Sequence, residues 1–282
     1  MPAPESVVVV GGGIMGAGIA HVFAAAGSAV VVVEADEARA AAALGRIERT
    51  LAKAEEKGKL ASASQALQRV GVVTDVAAAP ADAPLYVEAV PEDAALKARV
   101  LAALEAVAGD DAVLATNTSA LSVGALAAGL SRPQRFCGMH FFNPVPASAL
   151  VELVHHEGTD GAVLQQVRDW VGVLGKEAIV VADAPGFATS RLGVAVGLEA
   201  IRMVQDGVAS AEDIDTGMRL GYRWPMGPLR LTDLVGLDVR LGIAEHLAAT
   251  LGPRFEPPAL LREMVERGDL GQKSGRGFYD WT

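Results

Sequence analysis

The sequence predicts an α/β protein, with a doubly wound, mainly parallel sheet over residues 1–183 and an all-helical segment over residues 184–282. Three observations predict this fold. Short runs of β-branched and other apolar residues alternate with helix-length segments in the first part of the chain. Strand signals stop after the sequence DAPGF, which ends at residue 187, and long helical segments follow. The length of 282 residues exceeds that of a usual single domain, which favours two domains.

The predicted strands are short and apolar, and helices fill the intervals between them. The strands cover residues 7–10, 29–33, 70–73, 85–89, 112–115, 136–142, 150–155 and 178–181. The helices between them cover residues 14–26, 37–57, 93–108, 123–128 and 161–174. Beyond the boundary near residue 184, helices are predicted over residues 188–205, 212–220, 229–250 and 259–266.

Composition and charge argue against several classes of protein. The net charge is −10 and neither half is basic, so we expect no nucleic-acid partner. The longest apolar stretch, residues 7–36, contains three consecutive glycines, ends in acidic residues and lacks basic flanks, which argues against a membrane span. The first six residues carry no Lys or Arg, unlike a signal peptide. The single Cys137 indicates a reducing compartment, so we expect a cytoplasmic protein.

A glycine motif joins the first predicted strand to the first predicted helix. Gly11, Gly13 and Gly16 fit G-x-G-x-x-G, in which the glycines allow a tight turn, close approach to a pyrophosphate and close helix packing. Ile14 and Met15 open the helix, whose free N–H groups point at the phosphates. The motif predicts a Rossmann-type domain that binds a dinucleotide. The alternative is a merely flexible glycine run.

Glu34 ends the second predicted strand, 18 residues after the last glycine of the motif. A carboxylate near this offset binds the adenosine ribose hydroxyls of NAD and repels the 2′-phosphate of NADP. No Arg follows Glu34 directly, and the next one along the chain is Arg39. The sequence therefore favours NAD, and a titration in which NADPH binds more tightly than NADH would contradict this prediction.

Basic residues line one stripe of the helix that follows the second strand. Arg46, Arg49, Lys53 and Lys57 recur at spacings of three and four residues, which places them on one helix face. Glutamates interleave with them, so the stripe fits a solvated surface as well as a docking strip for a second phosphorylated ligand. The residues alone do not choose between these interpretations.

Two further segments carry candidate chemistry. Asn117 and Ser119 follow a strand at the edge where parallel sheets place ligands, although turn and capping roles are also typical of such residues. His140 and Glu152 lie about six residues either side of Pro146, so a simple hairpin sets them opposite each other. A carboxylate there would fix one imidazole tautomer for acid/base chemistry on an alcohol. No His/Cys/Asp cluster shows metal-ligand spacing, so we expect no metal.

Several longer motifs fall in one order along the chain: GGGIMGAGIA, EAVPED, TNTSAL, HFFNPVP, LVELV, DAPGF, DIDTGMRLGYRWPMGPLRLTDLVGLD and KSGRGFYDW. On these motifs the sequence resembles the 3-hydroxyacyl-CoA dehydrogenase family, particularly the short bacterial 3-hydroxybutyryl-CoA dehydrogenase type. The resemblance implies reversible, NAD-dependent oxidation of an (S)-3-hydroxyacyl-CoA, with a short acyl chain, to the 3-ketoacyl-CoA. It also implies a homodimer formed through the C-terminal helices.

The resemblance implies roles for individual residues. His140 would be the catalytic base and Glu152 its orienting partner, while Ser119 would bind the substrate oxygen. The residues implied to contact the cofactor, besides those of the glycine motif and Glu34, are Glu92, Lys97, Asn117 and Lys273. Those implied to contact coenzyme A are Thr50 and Lys57, which favours the docking interpretation of the basic stripe.

One position departs from the family pattern. Ser190 stands where the family usually carries an asparagine that helps to hold the substrate, so the rate and substrate range are open. Two alternatives remain beside the leading hypothesis. One is a relative that oxidises a small hydroxy acid, as gulonate and carnitine dehydrogenases do. The other is a non-catalytic NAD-binding protein like the crystallin relatives of the family.

Overall fold

A computed structural model describes residues 2–282 of the chain. The chain divides into two compact units, Met1–Asp183 and Ala184–Thr282, which are described here one at a time. The first unit combines a sheet with helices, and the second consists of helices and short 3₁₀ turns. Among residues 2–282, no helix combines the length and the apolar composition that crossing a membrane requires.

One eight-stranded sheet organises the first unit, as the alternating apolar runs predicted. Its strands are β1 (Ser6–Val10), β2 (Ala29–Val33), β3 (Val70–Val73), β4 (Leu85–Glu88), β5 (Val113–Thr116), β6 (Phe136–Phe141), β7 (Leu150–His155) and β8 (Glu177–Ala182). Their order is β3-β2-β1-β4-β5-β6-β7-β8. The chain thus turns from one half of the sheet to the other between β1 and β4, where open α/β sheets bind ligands at the carboxyl strand ends.

All neighbouring strands are parallel except β6 and β7. The segment that joins these two strands contains Asn143, Pro144 and Pro146, and a short connection of this kind produces an antiparallel pair. Strands β7 and β8 therefore run against β1–β6. The central strand β1 has four consecutive buried valines, as expected for a strand covered on both faces.

Helices cover the sheet of the first unit: α1 (Ile14–Ala25), α2 (Glu37–Glu56), α3 (Ala63–Leu67), α4 (Ala94–Val107), α5 (Val123–Ala127) and α6 (Gly161–Val173). Most begin at a capping side chain, and Asp36, Asp93 and Ser122 each accept a hydrogen bond from a first-turn amide. Helix α3 was absent from the sequence prediction. It is only five residues long and depends on the cap at Ser62, so apolar periodicity gives little sign of it.

The second unit contains five helices: α7 (Thr189–Gln205), α8 (Ala211–Gly221), α9 (Pro228–Val235), α10 (Leu237–Leu251) and α11 (Ala259–Glu266). Ser210 caps α8, and its hydroxyl oxygen accepts a 3.1 Å hydrogen bond from the amide of Asp213. The single helix predicted over residues 229–250 is wrong. Gly236, with φ of +100° and ψ of 130°, separates α9 from α10, because this backbone conformation is open mainly to glycine.

Candidate active site

The glycine turn between β1 and α1 fits a bound pyrophosphate. A Cβ on Gly11 would lie 2.8 Å from the carbonyl oxygen of Ala89, and one on Gly16 would lie 1.7 Å from that of Gly11. A Cβ on Gly13 would meet nothing within 4 Å, so this residue faces open space where a ligand can approach. Among residues 2–282, no side chain caps the N-terminus of α1. The amides of its first turn are therefore available to bind an anion.

Glu34 and Arg46 each form a hydrogen bond with the backbone of Gly12. The amide of Gly12 donates to Glu34 Oε1 over 2.7 Å, and Arg46 Nη1 donates to the carbonyl oxygen of Gly12 over 3.3 Å. A second oxygen of Glu34 accepts from the amide of Ala35 at 3.2 Å. The carboxylate is thereby fixed at the end of β2, beside the turn. The contact of Arg46 was not predicted, because helix periodicity gives the face of a residue and not the direction of a long side chain.

His140 and Glu152 are paired across β6 and β7. They are register partners in the antiparallel ladder, and His140 Nδ1 lies 2.7 Å from Glu152 Oε2. Both residues are buried, and the ring of Phe142 lies 4.4 Å from the imidazole, centroid to centroid. An ionised carboxylate only accepts hydrogen bonds, so Nδ1 is the donor of this pair. This geometry supplies a base whose orientation is fixed.

A buried ion pair lies beneath the ends of β4 and β5. Lys97 Nζ contacts Glu88 Oε1 at 2.8 Å, Glu88 Oε2 at 3.0 Å and the carbonyl oxygen of Val90 at 3.1 Å. Glu88 also accepts a 2.6 Å hydrogen bond from Thr116 Oγ1. Sequence reasoning missed Glu88, although an acidic residue at a buried strand end followed by a helix lysine is a visible sign of such a pair.

Glu92 joins this ion pair to the turn after β5. Its Oε2 lies 3.3 Å from Lys97 Nζ, while its Oε1 accepts from Thr118 Oγ1 at 2.6 Å and from the amide of Ser119 at 2.9 Å. Burial alone would raise the pKa of the Glu92 carboxyl, but the bond from Thr118 and the charge of Lys97 outweigh it and lower the pKa. Lys97 is 1% exposed and Glu92 37%, so Glu92 is the member that a ligand reaches directly.

Asn117 and Ser119 occupy the edge of the sheet that the sequence predicted for them. Asn117 Oδ1 accepts from the amide of Phe141 at 2.9 Å, which ties the end of β5 to the residue after His140. Ser119 is exposed and its hydroxyl lies 3.4 Å from Glu92 Oε1. The fold thus brings Asn117, Ser119 and His140 to the carboxyl ends of neighbouring strands.

A cavity of about 590 Å³ lies beside the first helix pair. Its floor is apolar and includes Val22 and Leu174, while Lys53, Lys57 and Lys59 line it with positive charge. The remaining lining residues are His21, Ala25, Ala26, Thr50, Ala54, Leu60, Pro144, Pro146, Ala147, Val173 and Gly175. Thr50 and Lys57, the residues implied to contact coenzyme A, therefore share one concave surface. Arg46 and Arg49, the other members of the predicted stripe, do not line it.

Two further histidines of the first unit, His21 and His156, have structural partners. His21 Nδ1 lies 2.9 Å from Thr50 Oγ1, and this hydroxyl donates to the carbonyl of Ile47, so it must accept from the imidazole. Burial and, to a smaller extent, the charge of Lys176 lower the pKa of His21 to about 4. His156 Nε2 contacts the carbonyl oxygen of Pro133 at 2.9 Å. Cys137 is buried, which raises the pKa of its thiol to about 12.

Two predicted site residues belong to the helical unit. Ser190 is half-buried in the first turn of α7. Lys273 is paired with the carboxylate of Asp238 at 2.5 and 2.6 Å, next to the turn at Gly236. Among residues 2–282, no group of three or more His, Cys, Asp or Glu side chains could hold a metal ion.

Comparison with known proteins decides the family. Residues 6–184 match the family model described as 3-hydroxyacyl-CoA dehydrogenase, NAD binding domain, and residues 186–281 match the C-terminal domain of the same family. The chain belongs to the 3-hydroxyacyl-CoA dehydrogenase family. The resemblance noted in the sequence is thus confirmed, as is the class of fold, an NAD-binding α/β domain followed by a helical domain.

Individual members of this family are similar over the whole chain. The 3-hydroxybutyryl-CoA dehydrogenase of Mycobacterium tuberculosis is 45% identical, with 99% of each chain covered. The mitochondrial hydroxyacyl-coenzyme A dehydrogenase of Sus scrofa is 39% identical, with 98% of this chain and 91% of the relative covered. The crystal structure of (S)-3-hydroxybutyryl-CoA dehydrogenase from Ralstonia eutropha has a TM-score of 0.93 at 38% identity, covering 99% of this chain and 100% of that one.

Proposed function

We propose that this member of the family catalyses the reversible oxidation of a short-chain (S)-3-hydroxyacyl-CoA to the 3-ketoacyl-CoA, with NAD as the electron acceptor. The contact between His140 Nδ1 and Glu152 Oε2 carries this proposal. It presents Nε2 of the same ring as a base near the carboxyl end of β6, and the glycine turn follows the carboxyl end of β1 in the same sheet, with β4 and β5 between the two strands. The names of the relatives, which are hydroxyacyl-CoA dehydrogenases, support the same reaction.

The residues divide the chemistry in a definite way. Bound NAD supplies the acceptor that takes the hydride from C3 of the substrate. His140 Nε2 takes the proton of the 3-hydroxyl group, and Glu152 stabilises the imidazolium that results. The exposed hydroxyl of Ser119, which Glu92 positions through the backbone, donates to the substrate oxygen. In the reverse direction, the protonated His140 returns its proton to the substrate oxygen as the 3-keto group is reduced.

The dinucleotide and the CoA thioester would have separate sites on the first unit. The glycine turn, the first turn of α1 and Glu34 would hold NAD, with Glu92 and Asn117 farther along the same sheet edge. The apolar floor of the cavity suits an adenine ring, and Lys53, Lys57 and Lys59 suit the phosphates of coenzyme A. Thr50 lies on the same wall. Direct contacts of Lys97 and Lys273 with the cofactor, and of Ser190 with the substrate, remain predictions.

We further propose that the protein forms a homodimer through its helical unit and works in a reducing compartment such as the cytoplasm. Nine large apolar side chains of the helical unit are exposed: Leu192, Val208, Leu220, Tyr222, Trp224, Leu231, Leu234, Val235 and Val239. Large exposed apolar surfaces typically mark protein interfaces. The thiol of Cys137 is free and buried, which suits a compartment in which disulfides are rare.

Reduction of acetoacetyl-CoA, followed by the absorbance of NADH, tests the proposed function. We expect turnover by the wild type and a loss of at least about a hundredfold in kcat for His140→Ala. His246→Ala is the matched control, because His246 is an exposed histidine of α10. Equal rates for the wild type and His140→Ala would favour a non-catalytic NAD-binding protein. Preferential oxidation of gulonate or carnitine, with no activity on the thioester, would favour a hydroxy-acid dehydrogenase.

A further inference from the structure

Arg46 is one of the basic residues of α2 that do not line the cavity proposed for coenzyme A. It was predicted as part of one stripe with Arg49, Lys53 and Lys57, but only the two lysines line the cavity. The guanidinium of Arg46 lies instead at the glycine turn, with Nη1 3.3 Å from the carbonyl oxygen of Gly12. The basic stripe therefore does not act as one surface: Lys53 and Lys57 line the cavity, whereas Arg46 contacts the glycine turn.

Gly12 brings Arg46 close to the acidic residue that selects the dinucleotide. The amide of Gly12 is bound to Glu34 Oε1 at 2.7 Å, and its carbonyl oxygen is bound to Arg46. A single glycine thus separates the carboxylate from the guanidinium, yet no ion pair within 4.0 Å joins them among residues 2–282. A Cβ on Gly12 would lie 2.3 Å from Cβ of Ala43, so the turn packs tightly against the helix that carries Arg46.

In dinucleotide-binding domains, the carboxylate at the end of the second strand binds the adenosine ribose hydroxyls, and a nearby Arg accommodates a 2′-phosphate. The phosphate of NADP is attached at the ribose oxygen that faces this carboxylate. A guanidinium offers a planar fork of donors that fits two phosphate oxygens. Glu34 and Arg46 therefore have opposite effects on the same group, since Glu34 repels it and Arg46 attracts it.

We propose that Arg46 forms a 2′-phosphate site that Glu34 opposes by its charge, so that these two residues together set the preference between NAD(H) and NADP(H). The proposal rests on the proposed dinucleotide function of the turn. Arg39 is the competing candidate, because it is the arginine nearest to Glu34 in the sequence. Its guanidinium is paired with Asp36 at 3.6 Å and is 67% exposed, whereas Arg46 contacts the turn itself.

Four variants test the proposal by kcat/KM with NADH and with NADPH: Glu34→Gln, Arg46→Met, the double variant, and Arg39→Met. Glutamine retains an oxygen for the amide of Gly12 and removes the charge. We expect Glu34→Gln to raise kcat/KM for NADPH by about tenfold or more, and Arg46→Met to reverse most of that gain in the double variant. We expect Arg39→Met to leave the ratio of the two coenzymes within about threefold of the wild type.

Three results would overturn the proposal: a gain from Glu34→Gln that is equally large without Arg46, equal losses for NADH and NADPH in Arg46→Met, or a change in the ratio of the two coenzymes in Arg39→Met that is as large as the change in Arg46→Met. Direct titration of each reduced coenzyme, followed by its own fluorescence and without any acyl-CoA, separates this inference from the proposed activity. If acetoacetyl-CoA is not reduced but the binding pattern is as described, the proposed reaction fails and the role of Arg46 stands. If neither coenzyme binds, both fail.

Discussion

Glu152 determines which nitrogen of His140 carries a proton, because its Oε2 lies 2.7 Å from Nδ1. Replacing it by glutamine keeps the volume but removes the charge that, in the proposed mechanism, stabilises the imidazolium. We expect Glu152→Gln to lower kcat for acetoacetyl-CoA reduction by about two decades, while KM for NADH changes by less than about threefold. Steady-state kinetics in which the concentrations of both substrates are varied will measure kcat and KM for NADH separately.

The matched control for that variant is Glu105→Gln. Glu105 is also a carboxylate of the first unit with little exposure, and it binds the backbone amides of Ser131 and Arg132. We expect Glu105→Gln to lower the free energy of unfolding and to have little effect on kcat. A Glu152→Gln enzyme that kept kcat within threefold of the wild type would remove Glu152 from the proposed mechanism.

His21 provides a prediction about stability and pH. Burial first, and the charge of Lys176 second, lower its pKa from 6.5 to about 4. Between about pH 4 and pH 6.5, His21 is protonated in the unfolded chain but not in the folded chain. The free energy of unfolding therefore rises with pH across this range, and the contribution of His21 is constant above it. Relative to His21→Asn, we expect the free energy of unfolding of the wild type to fall by up to about 2 kcal/mol between pH 7.5 and pH 5. Asparagine is chosen because it retains a donor toward Thr50.

Urea titrations at the two pH values measure this difference in the free energy of unfolding. His246→Asn is the control, because His246 is an exposed histidine of α10. Parallel pH profiles for the wild type and His21→Asn would show that His21 accepts its proton in the folded state, contrary to its buried position.

The ends of β4 and β5 are held by a buried ion pair between Glu88 and Lys97. Glu88 is fully buried, and Lys97 neutralises it while also contacting Glu92. A buried pair of this kind contributes little net stability, but loss of one partner leaves an uncompensated charge. This arrangement explains why the turn that carries Ser119 has a defined position although it is exposed.

The connection between α9 and α10 depends on one glycine. Gly236 has φ of +100°, and a Cβ there would lie 3.0 Å from Asp238 Oδ1 and 3.3 Å from Lys273 Nζ. We expect Gly236→Ala to lower the free energy of unfolding by about 1–3 kcal/mol. Gly242→Ala is the control, since this glycine lies inside α10 and a Cβ there meets nothing within 4 Å.

Gly242→Ala should raise stability by about 0.5–1 kcal/mol, because alanine favours the helix more than glycine does. Thermal unfolding of the three proteins therefore orders them as Gly242→Ala, wild type and Gly236→Ala, from most to least stable. A Gly236→Ala protein as stable as the wild type would mean that residues 229–250 can form the continuous helix that the sequence suggested.

The elements that the sequence predicted share a strong local signal. Strand β1 is four buried valines followed by glycines, and the spacing of His140 and Glu152 about Pro146 determines their pairing across a short turn. The break at Gly236 was missed because an isolated glycine is also tolerated within helices, as Gly242 shows. The contact of Arg46 was missed because it joins residues 34 positions apart through space, whereas the pair of Glu88 and Lys97, only 9 positions apart, did leave a local sign in the sequence.

At the scale of the whole molecule, apolar surface is concentrated in the helical unit. That unit contains about a third of the chain but nine of the fourteen large apolar residues that are exposed among residues 2–282. Leu231, Leu234 and Val235 recur at helical spacing along one side of α9, and each is 39–41% exposed. The net charge of −10 opposes association in general, so a stable dimer needs an apolar surface of this kind.

We expect Leu234→Glu to convert the proposed homodimer into a monomer, because burying an unpaired carboxylate in an apolar interface costs several kcal/mol. Light scattering coupled to size-exclusion chromatography measures the mass directly. Leu44→Glu is the matched control, since Leu44 is a leucine of α2 with 36% exposure, and this variant should keep the mass of the wild type. A wild type that elutes as a monomer at micromolar concentration would contradict the dimer itself, whereas a dimeric Leu234→Glu protein would move the interface away from α9.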